Sequence, residues 1–258
     1  MMILRRIRQR LYSEFENYYR NNRNQIQEKN YNNIVAGNED ENIRKKAKSL
    51  YKDNSTLQKK FTEEGFIQAA LDGVHNKETF AVLMFIKNDK KQNSAEECQT
   101  NFIKDKYSKL LKEIKLLPKS GKGTLFINGG KITGSGNSTK SIDLEMTYEF
   151  GGKTLKFYGT MKHIDGYGGA QDNQFTDLLL TNQEFVKLSD PNIITLTLVS
   201  GTYFKPVKMK ELTKYNTPTN YTIHIDDLGN IVKKCILEWL QREFPDEKTE
   251  YERVKNYA

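Results

Sequence analysis

Cysteine is nearly missing from this chain, with only Cys98 and Cys235 in 258 residues. They stand far apart and outside any CxxC or Cys/His cluster, so neither a disulfide framework nor a zinc site is suggested, and a reducing compartment is expected. Proline is scarce, with five in all, and the one tryptophan is Trp239. Nothing approaches the ~18 consecutive apolar residues that a membrane span requires. The start, MMILRRIRQRL, is basic but carries no apolar stretch long enough for a secretion signal. These absences lead to the expectation of a cytoplasmic protein with no membrane segment. Apolar residues make up only 36% of the chain, and mean hydropathy is −0.75. Even so, 14 Tyr and 13 Phe argue against a disordered chain. The length suffices to bury a core as one large domain or two small ones.

Charge is abundant. Lys and Arg number 41 against 33 Asp and Glu, a net charge of +8 with an isoelectric point near 9.2. Such an excess favours a polyanionic partner, because each cation placed on a phosphate releases condensed counterions. The Asn and Lys richness of stretches such as 19–33 reflects an AT-rich genome as much as any physical need, and carries little weight.

From residue 1 to about Pro118 the pattern is helical. Ile3, Ile7, Leu11, Phe15 and Tyr18 or Tyr19 recur at helical spacing, and further helices are expected over 41–51, 55–72, 77–86 (with the run FAVLMFI) and 96–117. No repeat of fixed period is visible. At Pro118 the composition changes to a Gly-, Lys- and Ser-rich segment around a short strand, 124–128. Ile142, Leu144, Met146, Tyr148 and Phe150 then alternate with Asp143, Glu145, Thr147 and Glu149, the period of a strand with one apolar face. Gly151-Gly152 makes a hairpin turn, and the return strand, 154–162, sets Leu155, Phe157, Gly159 and Met161 against Lys156, Tyr158, Thr160 and Lys162. A Gly-rich turn at 166–169 leads into an amphipathic helix with Phe175, Leu178, Leu179 and Phe185 as its stripe. IITLTLV after Pro191 reads as a buried strand, 221–225 as another, and 231–244 as a closing helix. The expected class is α/β (α+β): a helical region, 1–118, before a mixed β-sheet core flanked by helices, 119–258.

Phosphodiester hydrolysis needs a divalent metal to activate water and neutralise developing charge, and a cation near the reacting oxygens. Alternation alone puts Asp143 and Glu145 on one face of their strand and Lys162 with Thr160 on the facing side of the hairpin. The competing interpretation is an ordinary solvated, charged hairpin face. Gln171, Asp172, Asn173 and Gln174 sit at a helix start, where backbone N–H groups favour phosphate and amide side chains could read base edges, or where Asp172 or Asn173 simply caps.

The stretch STKSIDLEMTYEFGGKTLKFYGTMKH resembles the core hairpin of the PD-(D/E)xK nuclease superfamily, in which an Asp on one strand is followed by acid-x-Lys on the next. KHIDGYGGAQDNQFTDLLL resembles the Lys, Gly-rich turn and polar helix start of restriction endonucleases, and TLVSGTYF the strand that follows in type IIS cleavage domains. The resemblance covers about 123–225 and implies a restriction-endonuclease-like core. It also implies a type II restriction endonuclease: Mg²⁺-dependent, sequence-specific cleavage of double-stranded DNA by a homodimer, with a cognate DNA methyltransferase as genetic partner. The helical region would serve dimerisation and DNA recognition. Asp143 would bind Mg²⁺ and Lys162 would position or activate the attacking water. The tripeptide here is Thr160-Met161-Lys162, so the second carboxylate is missing from its usual place and must be recruited from Asp172, Glu145 or Asp165. The implied catalytic set is Asp143, Lys162, Thr160 and Asp172, and the metal set is Asp143, Glu145 and Met161. Two protein carboxylates suffice for an ion that keeps several waters. DNA contacts are expected from Lys131, Lys140, His163, Gln171, Asn173 and Gln174, with Lys153 and Lys156 nearby.

Other motifs lead nowhere. GSGNSTKS imitates a phosphate-binding loop, but Thr139 stands where that loop needs Gly before its Lys. His75, His163 and His224 lack metal-ligand spacing; His163 points away from the Lys162 face and reads as structural or DNA-contacting. Two alternatives to the nuclease stay open: a non-catalytic basic DNA-binding protein on the same sheet, which the Thr160 departure favours, and an interaction protein with a basic surface.

Overall fold

A computed structural model describes residues 14–78, 81, 92–134, 140–166 and 168–257. Ile3, Ile7 and Leu11 of the first stripe lie outside these residues, as does the 77–86 helix apart from 77, 78 and 81. The chain divides into two compact units, 20–91 on one side and 1–19 with 92–258 on the other. The boundary expected at Pro118 therefore falls inside the second of these.

The smaller unit is helical. Helix α1 (Glu14–Val35) ends in it, and α2 (Asp40–Lys52), α3 (Ser55–Lys60) and α4 (Glu63–His75) follow. Ile34, Ile43, Ala47, Ile67, Leu71 and Val74 form its core. The helix expected over 55–72 is broken in two. The Asn54 side chain caps α3 by accepting from Thr56 N and Leu57 N, and the Thr62 hydroxyl accepts from Gly65 N to start α4. Two good N-cap residues eight apart outweigh an uninterrupted helical composition.

The larger unit holds α5 (Gln92–Tyr107) and a five-stranded mixed sheet. In chain order its strands are β1 (Glu113–Leu116), β4 (Leu144–Phe150), β5 (Lys153–His163), β6 (Ile193–Ser200) and β7 (Asn220–His224), and they lie side by side in that order. A separate two-stranded ribbon is formed by β2 (Phe126–Asn128) and β3 (Lys131–Thr133). The pairs β1–β4 and β4–β5 are antiparallel, while β5–β6 and β6–β7 are parallel. The parallel steps need crossovers, supplied by α6 (Gly169–Phe185) and α7 (Pro206–Leu212). Helices α8 (Leu228–Glu243) and α9 (Lys248–Lys255) close the chain.

The first hundred residues and a little more were expected to be all-helical, yet α5 stops at Tyr107 and β1 follows. Leu110 and Leu111 turn back onto the Tyr107 carbonyl, and 113–116 then pairs with 144–147. An edge strand this short has too few residues to show an alternation of its own. Its pairing draws α5 and β1 into the sheet unit, which is why the division does not fall at Pro118.

The hairpin turn at Gly151-Gly152 has φ of 55° and 76°, the left-handed pair that a tight two-residue hairpin demands. One sheet face packs Leu144, Met146, Leu155, Phe157, Met161, Leu196 and Leu198 against α5 and α8. The other carries Thr160, Thr197 and Thr222 under α6. There Asn182 donates to Thr222 Oγ1 and accepts from Thr197 Oγ1 (3.0 and 2.7 Å). Strand β6 is thus covered on both faces, which explains why it is buried along nearly its whole length although Thr195 and Thr197 alternate with Leu196 and Leu198. Both cysteines are buried free thiols, pushed up to about 12 by burial. No helix among the described residues is long and apolar enough to cross a membrane.

Candidate active site

Asp143 immediately precedes β4, and its backbone is fixed on both sides. Its N–H donates to Gly159 O and its carbonyl accepts from Leu117 N, each at 2.8 Å. The side chain is only 6% exposed. Its Oδ2 accepts from the Thr160 hydroxyl and from Met161 N, both at 2.9 Å. Among the described residues no donor reaches Oδ1. A solvated charged hairpin face is therefore not what this carboxylate occupies, because Ile127 of β2, Ile142 and Phe185 of α6 pack with Tyr158 over that side of the sheet.

Thr160, standing where the resemblance asks for an acid, donates to Asp143 rather than competing with it. A carboxylate there would press a second negative charge against a buried one, whereas a hydroxyl satisfies it. Met161 has its side chain wholly buried in the core and its N–H on Asp143, so only its main-chain carbonyl could face a metal. Lys162 is half-buried and, among the described residues, makes neither a hydrogen bond nor an ion pair.

The acid that sequence reasoning missed is Glu96, on α5. It is 1% exposed, its Oε2 pairs with Lys119 Nζ at 2.6 Å, and its Oε1 is buried without a donor. Burial, and after it the charge of Asp143, hold its carboxyl above the usual range, while Lys119 and Lys162 pull the other way. Glu96 thus shares one electrostatic neighbourhood with Asp143 and Lys162. One turn on, Gln99 is fully buried, donates to Ser200 Oγ at 3.1 Å, and leaves its own Oε1 without a donor. The available signal was a polar cluster, Glu96, Gln99 and Thr100, among the apolar positions of one helix. Composition alone reads such a cluster as a solvent face.

Glu96→Gln is expected to melt above the wild type at pH 8 in a chelator, with the gap closing on acidification. A carboxyl whose folded pKa is raised contributes stability that is complete below its unfolded value and is lost as pH rises through the folded one. The amide cannot ionise and escapes that loss. Melting temperatures measured against pH for both proteins check this, and parallel curves would refute it.

The other expected ligands have different company. Glu145 accepts from Tyr158 OH at 3.1 Å, and burial together with this carboxylate raises the phenol. Asp172 is exposed and is engaged by Tyr203 OH and by Lys208 at 3.7 Å. Asp165 is tied to His163 and to Thr202, which hold its carboxyl far below the ordinary range, the His163 hydrogen bond foremost. Of the expected DNA contacts, Lys131 and Asn173 are exposed, and Gln171 and Gln174 are half-buried on the first turns of α6. Lys140 pairs with Asp177 at 2.5 Å. The His163 side chain is 6% exposed with partners at both ring nitrogens, Ser200 Oγ at 2.9 Å and Asp165 Oδ2 at 3.0 Å. Of its two expected roles, these surroundings favour the structural one.

The donor set suits a hard divalent cation. Glu96 Oε1 is buried without a donor, no donor reaches Asp143 Oδ1 among the described residues, and Mg²⁺ takes oxygen ligands while retaining water. The chain matches no protein-family model, no curated protein and no solved structure, so the family resemblance rests on its own residues.

Proposed function

We propose that this protein is a Mg²⁺-dependent endonuclease of the PD-(D/E)xK type, acting on double-stranded DNA as a type II restriction enzyme. The observation that carries the proposal is the neighbourhood of two buried carboxylates, Asp143 and Glu96, with a half-buried lysine that has no ion-pair partner among the described residues, Lys162. Burying such groups costs free energy, and a buried carboxyl held above its usual range, as that of Glu96 is, is the kind of group that concentrates where chemistry is done. Mg²⁺ would be held by Asp143 and Glu96, where it would supply Lewis acidity and a more acidic bound water. Thr160 and the Met161 N–H fix the Asp143 carboxylate through Oδ2 and leave Oδ1 for ligation. Lys162 brings an ammonium to orient the attacking water or to neutralise charge on the phosphate. Lys131 and the amides at the start of α6 would contact the duplex. A homodimer would cut both strands, and a cognate methyltransferase would protect the host sites.

The experiment is digestion of several unmethylated plasmid and phage DNAs with purified protein and Mg²⁺. Discrete bands that vanish in chelator are expected. A smear would point to a nuclease without sequence preference. Intact DNA with both Mg²⁺ and Mn²⁺, beside salt-sensitive binding, would leave a non-catalytic DNA-binding module, the second reading that Thr160 favours.

A further inference from the structure

We infer that Glu16, His163 and Asp165 form a binding site for a borderline divalent cation of the Zn²⁺ or Co²⁺ class, separate from the Asp143 site. One ligand atom from each lies within 4.8 Å of the others. His163 follows Lys162 in β5 and so points to the opposite face of the sheet, where its ring packs on Phe15 and Tyr19 at the start of α1 (centroids 6.2 and 4.4 Å). Ser200 Oγ anchors Nδ1 at 2.9 Å and is itself held by Gln99 Nε2 at 3.1 Å. The ring is thereby fixed with Nε2 toward Asp165 Oδ2, 3.0 Å away, while Thr202 N holds the other Asp165 oxygen at 3.1 Å.

The orphaned oxygen of Glu16 is an independent observation. Oε1 is shielded from solvent and meets no hydrogen-bond donor. A carboxylate oxygen removed from water without a donor is costly unless a positive charge stands near it. A cation among the three side chains supplies that charge. One imidazole nitrogen with two carboxylates suits Zn²⁺, Co²⁺ or Mn²⁺ and disfavours Mg²⁺, which prefers oxygen alone. With Nε2 ligating, Nδ1 carries the proton and donates it to Ser200 Oγ, whose second lone pair is left by Gln99; this is the outer hydrogen bond that ligating histidines ordinarily make. An ion bound there ties the first turn of α1 to the end of β5.

The test is titration of the full, chelator-stripped protein with Co²⁺, read by its visible ligand-field absorption, by calorimetry and by melting temperature, without DNA. It is therefore independent of the nuclease reading. Wild type and Asp143→Asn should each keep one equivalent at this site and melt higher with Co²⁺. In the Asp143→Asn background, Glu16→Gln, at a half-buried position, should bind at least tenfold more weakly and lose the shift; His163→Ala should do the same wherever it folds. Wild type that binds no Co²⁺ would reduce the cluster to a His163–Asp165 ion pair and overturn the inference. So would undiminished binding by Glu16→Gln, or loss of all binding in Asp143→Asn.

Discussion

Asp143→Ala protein is expected to bind DNA and leave it uncut in Mg²⁺, with cleavage slowed by at least about 10³-fold. The magnitude follows from the several kcal/mol of charge stabilisation that a bound metal supplies, of which about 4 kcal/mol already corresponds to three powers of ten. Asp143→Asn is the cleaner variant, because its amide oxygen can still accept from Thr160 and Met161 N, while alanine orphans both donors. Lys162→Ala should fall by a similar order with the fold untouched, since Lys162 makes no bond among the described residues whose loss would weaken it. The readouts are plasmid nicking rates, gel-shift affinity at low salt and melting temperature. Full activity in Asp143→Asn would remove Asp143 from the chemistry whatever else the protein does.

The largest loss of stability is expected from Trp239→Ala. The side chain is 1% exposed on α8 and meets Tyr148 of β4 edge-on at 5.8 Å and Phe244 at 5.5 Å. Its Nε1 donates to Asn192 Oδ1 at 3.0 Å, an oxygen that Arg242 also engages at 2.9 Å. Truncating a buried aromatic of this size costs about 3–5 kcal/mol, which for a chain of this length lowers Tm by on the order of 10 °C. Trp239→Phe should lose less, keeping part of the ring contact while giving up the hydrogen bond and some buried volume. Thermal denaturation followed by circular dichroism decides it. An unchanged midpoint in Trp239→Ala would mean that α8 does not cover the sheet in this way.

Both predictions depend on how the hairpin is covered, which differs from where its residues point. Alternation over 142–162 was enough to place β4, β5 and their Gly-Gly turn, and to put Asp143, Thr160 and Lys162 on one side of the hairpin. The short β-branched run at 193–199 likewise announced a buried central strand. The amphipathic stripes of α6 and α8 were also legible, with α8 beginning three residues earlier than its periodicity suggested. Less visible were β1, β3, α7 and α9. Each is short, and short segments take their structure from partners rather than from a period of their own.

Charge, alternation and the order of elements in the second half were decided by the sequence, because side-chain direction along a strand or helix follows from local geometry alone. Tertiary structure decided the burial of Asp143 and the electrostatic influence of Asp143 on Glu96. It also drew α5 and β1 into the sheet unit and joined Glu16 to His163 and Asp165. A residue's period says which face it takes, but what covers that face depends on contacts between segments distant in the chain. The free energy of a charge depends on that cover, so the groups whose protonation and metal affinity would set function emerged only once the chain was folded.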